Sequence, residues 1–345
     1  MSAAILASDP TASAADPTPV SAPGRSCPLH YRYAPAAFAR TAEIDCDTLY
    51  VVGGLYGNEP ALAAVLDLFE RERGRKRLVF NGDFNWFDTD PLAFRRLNET
   101  VLRFDALRGN VETEIAADDS GDDDAGCGCA YPDWVDDGVV ERSNRILQRL
   151  RATARGCPDL RARLAALPMH LRADVGGLRV AIVHGDAESL AGWGFAQEHL
   201  QQAAQRRRVR GWFDAAQVDA FACSHTCLPV FHRLPMAGRR VAPVVLNNGA
   251  AGMPNFSGDS AGLLTRIATT PFADRTGDER RFGIDAGDFG GVFVDALAVD
   301  AASPGWQQQF LAQWPAGSDA HRSYWQRITQ GPAHDAAAAL ITTED

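Results

Sequence analysis

Five short apolar runs in this chain end at glycine or at a residue able to hold a cation. The joins are Gly53-Gly54, Gly82-Asp83, Gly109-Asn110, His184-Gly185 and Ser224-His225. Asp83, Asn110, His184 and His225 together offer a carboxylate, a carboxamide and two imidazoles. That donor set suits a borderline divalent metal such as Mn, Fe or Zn. A carboxylate just past the carboxyl end of a buried strand sits where open α/β sheets place ligands. Gly82 lets the backbone turn there without a side chain in the way, and Trp86 and Phe87 follow as cleft walls. Each residue also has a plainer reading. Asp83 is equally a cap for the next turn, a lone histidine after a strand is commonly structural, and Gly53-Gly54 is equally a tight turn.

The elements that must position these residues follow from periodicity. Residues 48–52, 78–81, 104–107, 178–183, 220–223, 241–246 and 290–299 read as strands, the first of them β-branched and apolar. Helices are expected at 61–72, opened by Pro60, and at 91–103, 141–155, 158–167 and 196–208. Strands alternating with helices predict an α/β protein. Residues 1–30 and 331–345 read as loose tails flanking one domain, 31–330. Residues 117–124 are acidic and low in complexity, a solvated loop. The Cys127-Gly128-Cys129 pair that follows is a weak metal or redox signal, compatible also with small buried residues in a tight loop.

Bulk properties narrow the function. A chain of 345 residues that is 46% hydrophobic has material for a large core. Its net charge of −10 argues against a general nucleic-acid or membrane surface. A phosphorylated substrate stays compatible, because a bound metal reverses the local sign. No apolar run reaches the ~18 residues of a membrane span. The N-terminus lacks a secretory pattern, so the seven cysteines are expected reduced, in the cytoplasm. The oligomeric state is not legible.

The order of these motifs resembles that of the calcineurin-like metallophosphoesterases. That family runs D-x-H, G-D-x-x-D, G-N-H-D, H-G and G-H-T-H. Here the counterparts are GGLYGN with EPALAAVLDLF after it, GDFNWFD, RGNVE, VAIVHGD and CSHTCLP, followed by VLNNGAAGMP. The similarity spans about residues 49–254. It implies a four-layer αββα sandwich of two mixed β-sheets flanked by helices, with a partly helical insertion at about 114–167. It also implies one or two divalent metal ions per chain, a small phosphorylated substrate and a hydrolase that acts on phosphoester bonds. In that family the metals activate the attacking water and stabilise the oxyanion.

By that resemblance, one metal would be held by Asp83, Asn110, His184 and His225, all present. The second would use the Asp and His of the first motif, the bridging Asp83 and the last His. These positions are Gly54, Tyr56, Asp83 and Cys227 here. The family's catalytic histidine is Val111. One metal site is therefore expected intact, the other altered, and the proton donor missing. Tyr56 as phenolate and Cys227 as thiolate are the candidate replacement ligands, with Cys127 and Cys129 further candidates on their loop. The resemblance implies a metal-dependent phosphoesterase-type hydrolase. The alternative is a non-catalytic metal- or phosphate-binding protein on the same fold.

Overall fold

The computed structural model describes residues 22–117, 125–285, 287 and 289–342. The expected N-terminal tail lies mostly, and the acidic loop almost wholly, outside them. After two short 3-10 turns the chain runs β1 (Ile44–Cys46), β2 (Thr48–Val52), α1 (Glu59–Arg71), β3 (Lys76–Phe80), α2 (Pro91–Val101), β4 (Asp105–Ala106), α3 (Asn110–Ala116), α4 (Asp137–Arg155) and α5 (Pro158–Ala165). It continues through β5 (His170–Val175), β6 (Leu178–Val183), α6 (Gln197–Leu200), α7 (Ala203–Ala216), β7 (Ala220–Cys223), β8 (Pro229–Arg233) and β9 (Val244–Asn248). It ends with β10 (Ala261–Ala268), β11 (Arg280–Ile284), β12 (Phe293–Asp300), α8 (Pro304–Gln313), α9 (Asp319–Gln330), α10 (Ala336–Ala339) and β13 (Leu340–Thr342).

Two mixed sheets form the centre. One has seven strands in the order β1-β5-β6-β7-β9-β8-β13, the other six in the order β11-β12-β10-β2-β3-β4. In β2 every residue is buried, yet alternate side chains go to opposite faces, as the period of two requires. Leu49 and Val51 join Val79, Val180, Ile182, Ala222 and Leu246 between the sheets. Tyr50 and Val52 join the residues under α1, α2, α4, α8 and α9. On the far face of the seven-stranded sheet, Ala181 and Val183 pack with Val209, Trp212 and Phe213 of α7. The layers are therefore helix, sheet, sheet, helix, as expected.

Several boundaries differ from the sequence reading. The expected helix at 196–208 is two, because the chain turns at Gln201–Gln202 before α7 begins. The late strands β9 and β12 each begin three residues after their expected starts. Residues 331–345 are not wholly loose. Asp335 caps α10, and β13 pairs in parallel with β8 at the sheet edge. The insertion is helical, and α4 packs against α3 and α9.

Candidate metal centre

The carboxyl ends of β3 and β4 in one sheet meet those of β6 and β7 in the other. Asn81, just past β3, joins them by donating its Nδ2 to the Val183 carbonyl at 3.1 Å. Gly82 then turns the chain at φ 95°, and Asp83 follows at φ 51°. A Cβ on Gly82 would lie 2.5 Å from the Gly109 nitrogen, so glycine is required where the two turns touch. Asn110 opens α3, His184 leaves β6, and His225 lies two residues past β7.

Asp83, His184 and His225 form a fully buried cluster, their ligand atoms all within 4.8 Å of one another. Around His184 Nε2 stand Asn110 Oδ1 at 3.1 Å, His225 Nδ1 at 3.1 Å and Asp83 Oδ2 at 3.2 Å. Hydrogen bonds outside the cluster fix what each group presents. His184 Nδ1 is 2.9 Å from the Asn81 carbonyl, so it carries the proton and Nε2 presents a lone pair. His225 Nε2 is 3.0 Å from the Cys129 carbonyl, which likewise leaves Nδ1 with its lone pair inward. Asn110 Nδ2 donates to the Cys127 carbonyl at 2.9 Å and turns Oδ1 inward.

Four acceptors thus converge, and neutral imidazoles supply no donor among them. One proton on His184 Nε2 satisfies one of three neighbours, whereas a cation satisfies all four. Donor atoms on a tetrahedral first-row ion stand roughly 3.3–3.6 Å apart, a few tenths more than the three contacts to His184 Nε2. The backbone carbonyls behind both histidines are partners of the kind that orient metal-bound imidazoles. Two imidazole nitrogens and two oxygens fit a divalent ion of the Mn, Fe or Zn class.

The charges of the cluster act on one another. Burial works against ionisation of Asp83, but His184 and then His225 outweigh it and hold the carboxyl below its usual range. Burial opposes a charge on His184 too, and Asp83 still raises its pKa. Burial first and His184 second push His225 down to about 3.

The other expected ligands stand apart from this convergence. The Tyr56 hydroxyl and Cys227 sulfur are 2.9 Å from each other. Burial raises both, with Cys227 adding to the rise of Tyr56 and Arg327 opposing that of Cys227. Both residues have left-handed backbone, at φ 55° and 61°. Cys127 and Cys129 are joined as a disulfide, contrary to the expectation of reduced thiols, and neither offers a thiolate. What their loop gives the centre is the two carbonyls that orient Asn110 and His225. Val111, at the family's histidine position, is buried and lines the cavity above the centre.

Glu112, which the sequence offers as a replacement acid beside Val111, is instead a supporting residue. Fully buried, it accepts the backbone N–H groups of Asp83 at 2.7 Å, Gly109 at 3.0 Å and Asn85 at 3.2 Å. It holds the Asp83 turn against the start of α3. The signal was there, since an acid at the third helical position after Gly109 suits a helix N-terminus. Residues 323–327 of α9 were missed as cavity lining, because nothing in their spacing points to a site.

No protein-family model matches the chain, and no curated protein matches it. Solved structures do. A hypothetical protein from Pyrococcus horikoshii OT3 superposes with a TM-score of 0.53 at 15% identity, over 83% of this chain and 99% of that one. A metallophosphoesterase from Sphaerobacter thermophilus superposes with a TM-score of 0.52 at 16% identity, over 83% and 100%. At such identities the likeness is one of fold. The chain has the calcineurin-like metallophosphoesterase fold, and its buried Asp-His-His cluster lies at the carboxyl ends of the central strands.

Proposed function

We propose that this chain is a metal-dependent phosphoesterase-type hydrolase that works with one divalent cation, of the Mn, Fe or Zn class, held by Asp83, Asn110, His184 and His225. The observation that carries this reading is the convergence of four buried acceptor atoms on one point, with hydrogen bonds behind them that leave no donor inside. A divalent ion there supplies Lewis-acid polarisation of a phosphoryl oxygen and makes a nearby water more acidic.

The protein's own groups do the rest. Asn81 and the Cys129 carbonyl fix the two imidazoles, so that no reorganisation is needed when charge develops. Arg327 brings a guanidinium to the cavity wall, where it can meet a phosphate. Aromatic side chains wall the cavity and exclude bulk water. Val111 has no proton to give, so the leaving group departs without help from that position. The substrate is a small phosphorylated molecule, and a nucleic-acid surface is disfavoured by the net charge of −10.

A non-catalytic metal- or phosphate-binding role is favoured by one observation, the Tyr56–Cys227 pair in place of a second metal site. Turnover separates the two. Purified protein loaded in turn with Mn, Fe(II) and Zn is assayed on phosphomonoesters and diesters with good leaving groups. Metal-dependent hydrolysis lost in Asp83→Ala supports the hydrolase. Stoichiometric metal binding without hydrolysis of any ester supports the binding protein.

A further inference from the structure

The cavity above the cation ligands has a volume of about 200 Å³. Its walls come partly from the turns that carry the ligands and partly from the insertion and α9. Trp86 lies in the turn after β3, Tyr131 and Val139 in the insertion, Trp193 after β6, and Tyr324 and Arg327 on α9. The Tyr131 and Trp193 ring centroids are 5.9 Å apart, and Trp193 meets the His225 ring at 5.5 Å. The aromatic wall therefore runs directly onto a cation ligand. Arg145 of α4 pairs with Asp319 of α9 at 2.7 Å and links the two helices.

Arg327 carries the one cationic guanidinium or ammonium among the described lining residues. Its Nη2 donates to the Cys227 carbonyl at 2.6 Å and its Nε to the Pro254 carbonyl at 3.1 Å. Nη1 makes no hydrogen bond among the described residues. A fixed guanidinium with a free nitrogen is a preorganised anion contact.

We propose that this cavity selects a small aryl phosphate monoester, its ring against Trp193, Tyr131 and Tyr324 and its phosphoryl group between the cation ligands and Arg327 Nη1. The proposal rests on the hydrolase reading above and names its substrate class. Two independent features point to the same chemistry. Drug-sized ligands occupy pockets of about 300–1,000 Å³, and an apolar cavity of about 150 Å³ takes one benzene ring, so this one matches a ring with a phosphoryl group. Separately, Val111 beside Asn110 has no proton to give, which favours a leaving group that is stable as its anion. A phenolate is such a group, since phenols ionise near a pKa of about 10. A water oxygen bonds to phosphorus and the bond from phosphorus to the aryl oxygen breaks. Its electron pair leaves on the phenolate, the water's proton goes to solvent, and the phenolate takes a proton from solvent.

The test measures binding of phenylphosphonate and methylphosphonate to the metal-loaded protein by calorimetry, with turnover of phenyl phosphate and 2,2,2-trifluoroethyl phosphate alongside. Phenylphosphonate is expected to bind about tenfold tighter or more, from aromatic contact and burial of the ring. Val139→Phe fills the ring space and should reduce that preference to near unity while methylphosphonate binds as before. Arg327→Met should weaken both phosphonates by a similar factor. Equal affinities in the unmodified protein, no binding of either probe, or a preference that survives Val139→Phe would overturn the proposal. If the phosphonates are discriminated but neither ester is hydrolysed, the cavity assignment stands and the hydrolase reading fails. If both esters are hydrolysed with equal kcat/KM, the cavity assignment fails and the hydrolase reading stands.

Discussion

The hydroxyl of Tyr56 and the sulfur of Cys227 lie 2.9 Å apart, each on a left-handed backbone residue. Burial disfavours the ionised form of either group, so a neutral pair bonded to itself is the stable arrangement. Protein saturated with Zn or Mn should therefore hold one ion per chain, and Cys227→Ser should hold the same number. Elemental analysis after gel filtration checks both. Two ions per chain would show that the pair opens to bind metal.

Restoring the second site should take more than one change. Gly54 lies at φ 62°, and a Cβ there would come 2.8 Å from the Tyr56 ring. Gly54→Asp alone should destabilise the fold without adding a second ion. Gly54→Asp combined with Tyr56→His removes the clash and is the variant expected to recover some second-site binding, read by the same analysis.

Cation binding should stabilise the fold by mass action. An ion at one hundred times its dissociation constant adds about 2.7 kcal/mol. Thermal unfolding of metal-free protein titrated with Zn or Mn should rise by several degrees. Asp83→Asn should abolish the rise, because Asp83 Oδ2 is one of the four converging atoms. A variant that still responds fully would place the ion elsewhere.

Asp88 gives a pH dependence that owes nothing to the cation. It is fully buried, with one oxygen accepting the Trp86 N–H at 2.8 Å and the other without a partner among the described residues. Burial raises its carboxyl to about 7, against that hydrogen bond. A raised acid stabilises the fold fully below the ordinary carboxylate range. That contribution is lost as pH climbs from about 4 through about 7. Asp88→Asn should be close to neutral at pH 4 and stabilising at pH 8, on the order of a few kcal/mol. Denaturant unfolding at the two pH values measures it, and an equal effect at both would show that Asp88 stays charged.

Val111 tests the chemistry of departure. Loss of a general acid typically costs about 10²–10⁴-fold. Turnover should therefore be weak on alkyl monoesters and stronger where the leaving group is activated. Val111→His should raise kcat on alkyl esters more than on aryl ones. High turnover of alkyl monoesters by the unmodified protein would mean that another acid is at work. Glu112 is poorly placed for that part, since backbone N–H groups of Asp83, Gly109 and Asn85 already occupy it.

The strands that end at the Asp-His-His cluster were legible because they are short, mainly apolar runs closed by a polar turn, as at Val183-His184 and Cys223-Ser224-His225. β10 was not, because its run contains Arg266. That guanidinium is buried and is held by Glu72 at 2.5 Å and Asp295 at 3.0 Å, partners 194 and 29 residues away. β5 was hidden for a related reason, since His170, Arg172 and Asp174 break its apolar pattern. The cavity walls were illegible for a different reason. Tyr324 and Arg327 look like one face of an ordinary amphipathic helix until α9 is folded over a site built from residues far earlier in the chain. The disulfide between Cys127 and Cys129 likewise depends on loop geometry that composition does not carry.

The seam between the sheets has a consequence for how the ion arrives. Asp83 and Asn110 belong to one sheet, His184 and His225 to the other, and Asn81 ties the sheets at that point. In the unfolded chain these four side chains lie far apart, so an extended or newly made polypeptide offers no chelating pair. Sheet docking alone can meet the loop-closure entropy of gathering them. A cation bound there would then be a late passenger, chosen by a finished cavity of set donor type rather than captured by the folding chain. Which metal the protein carries should then follow the pool it meets after folding, and exchange of that pool should change the occupant without refolding.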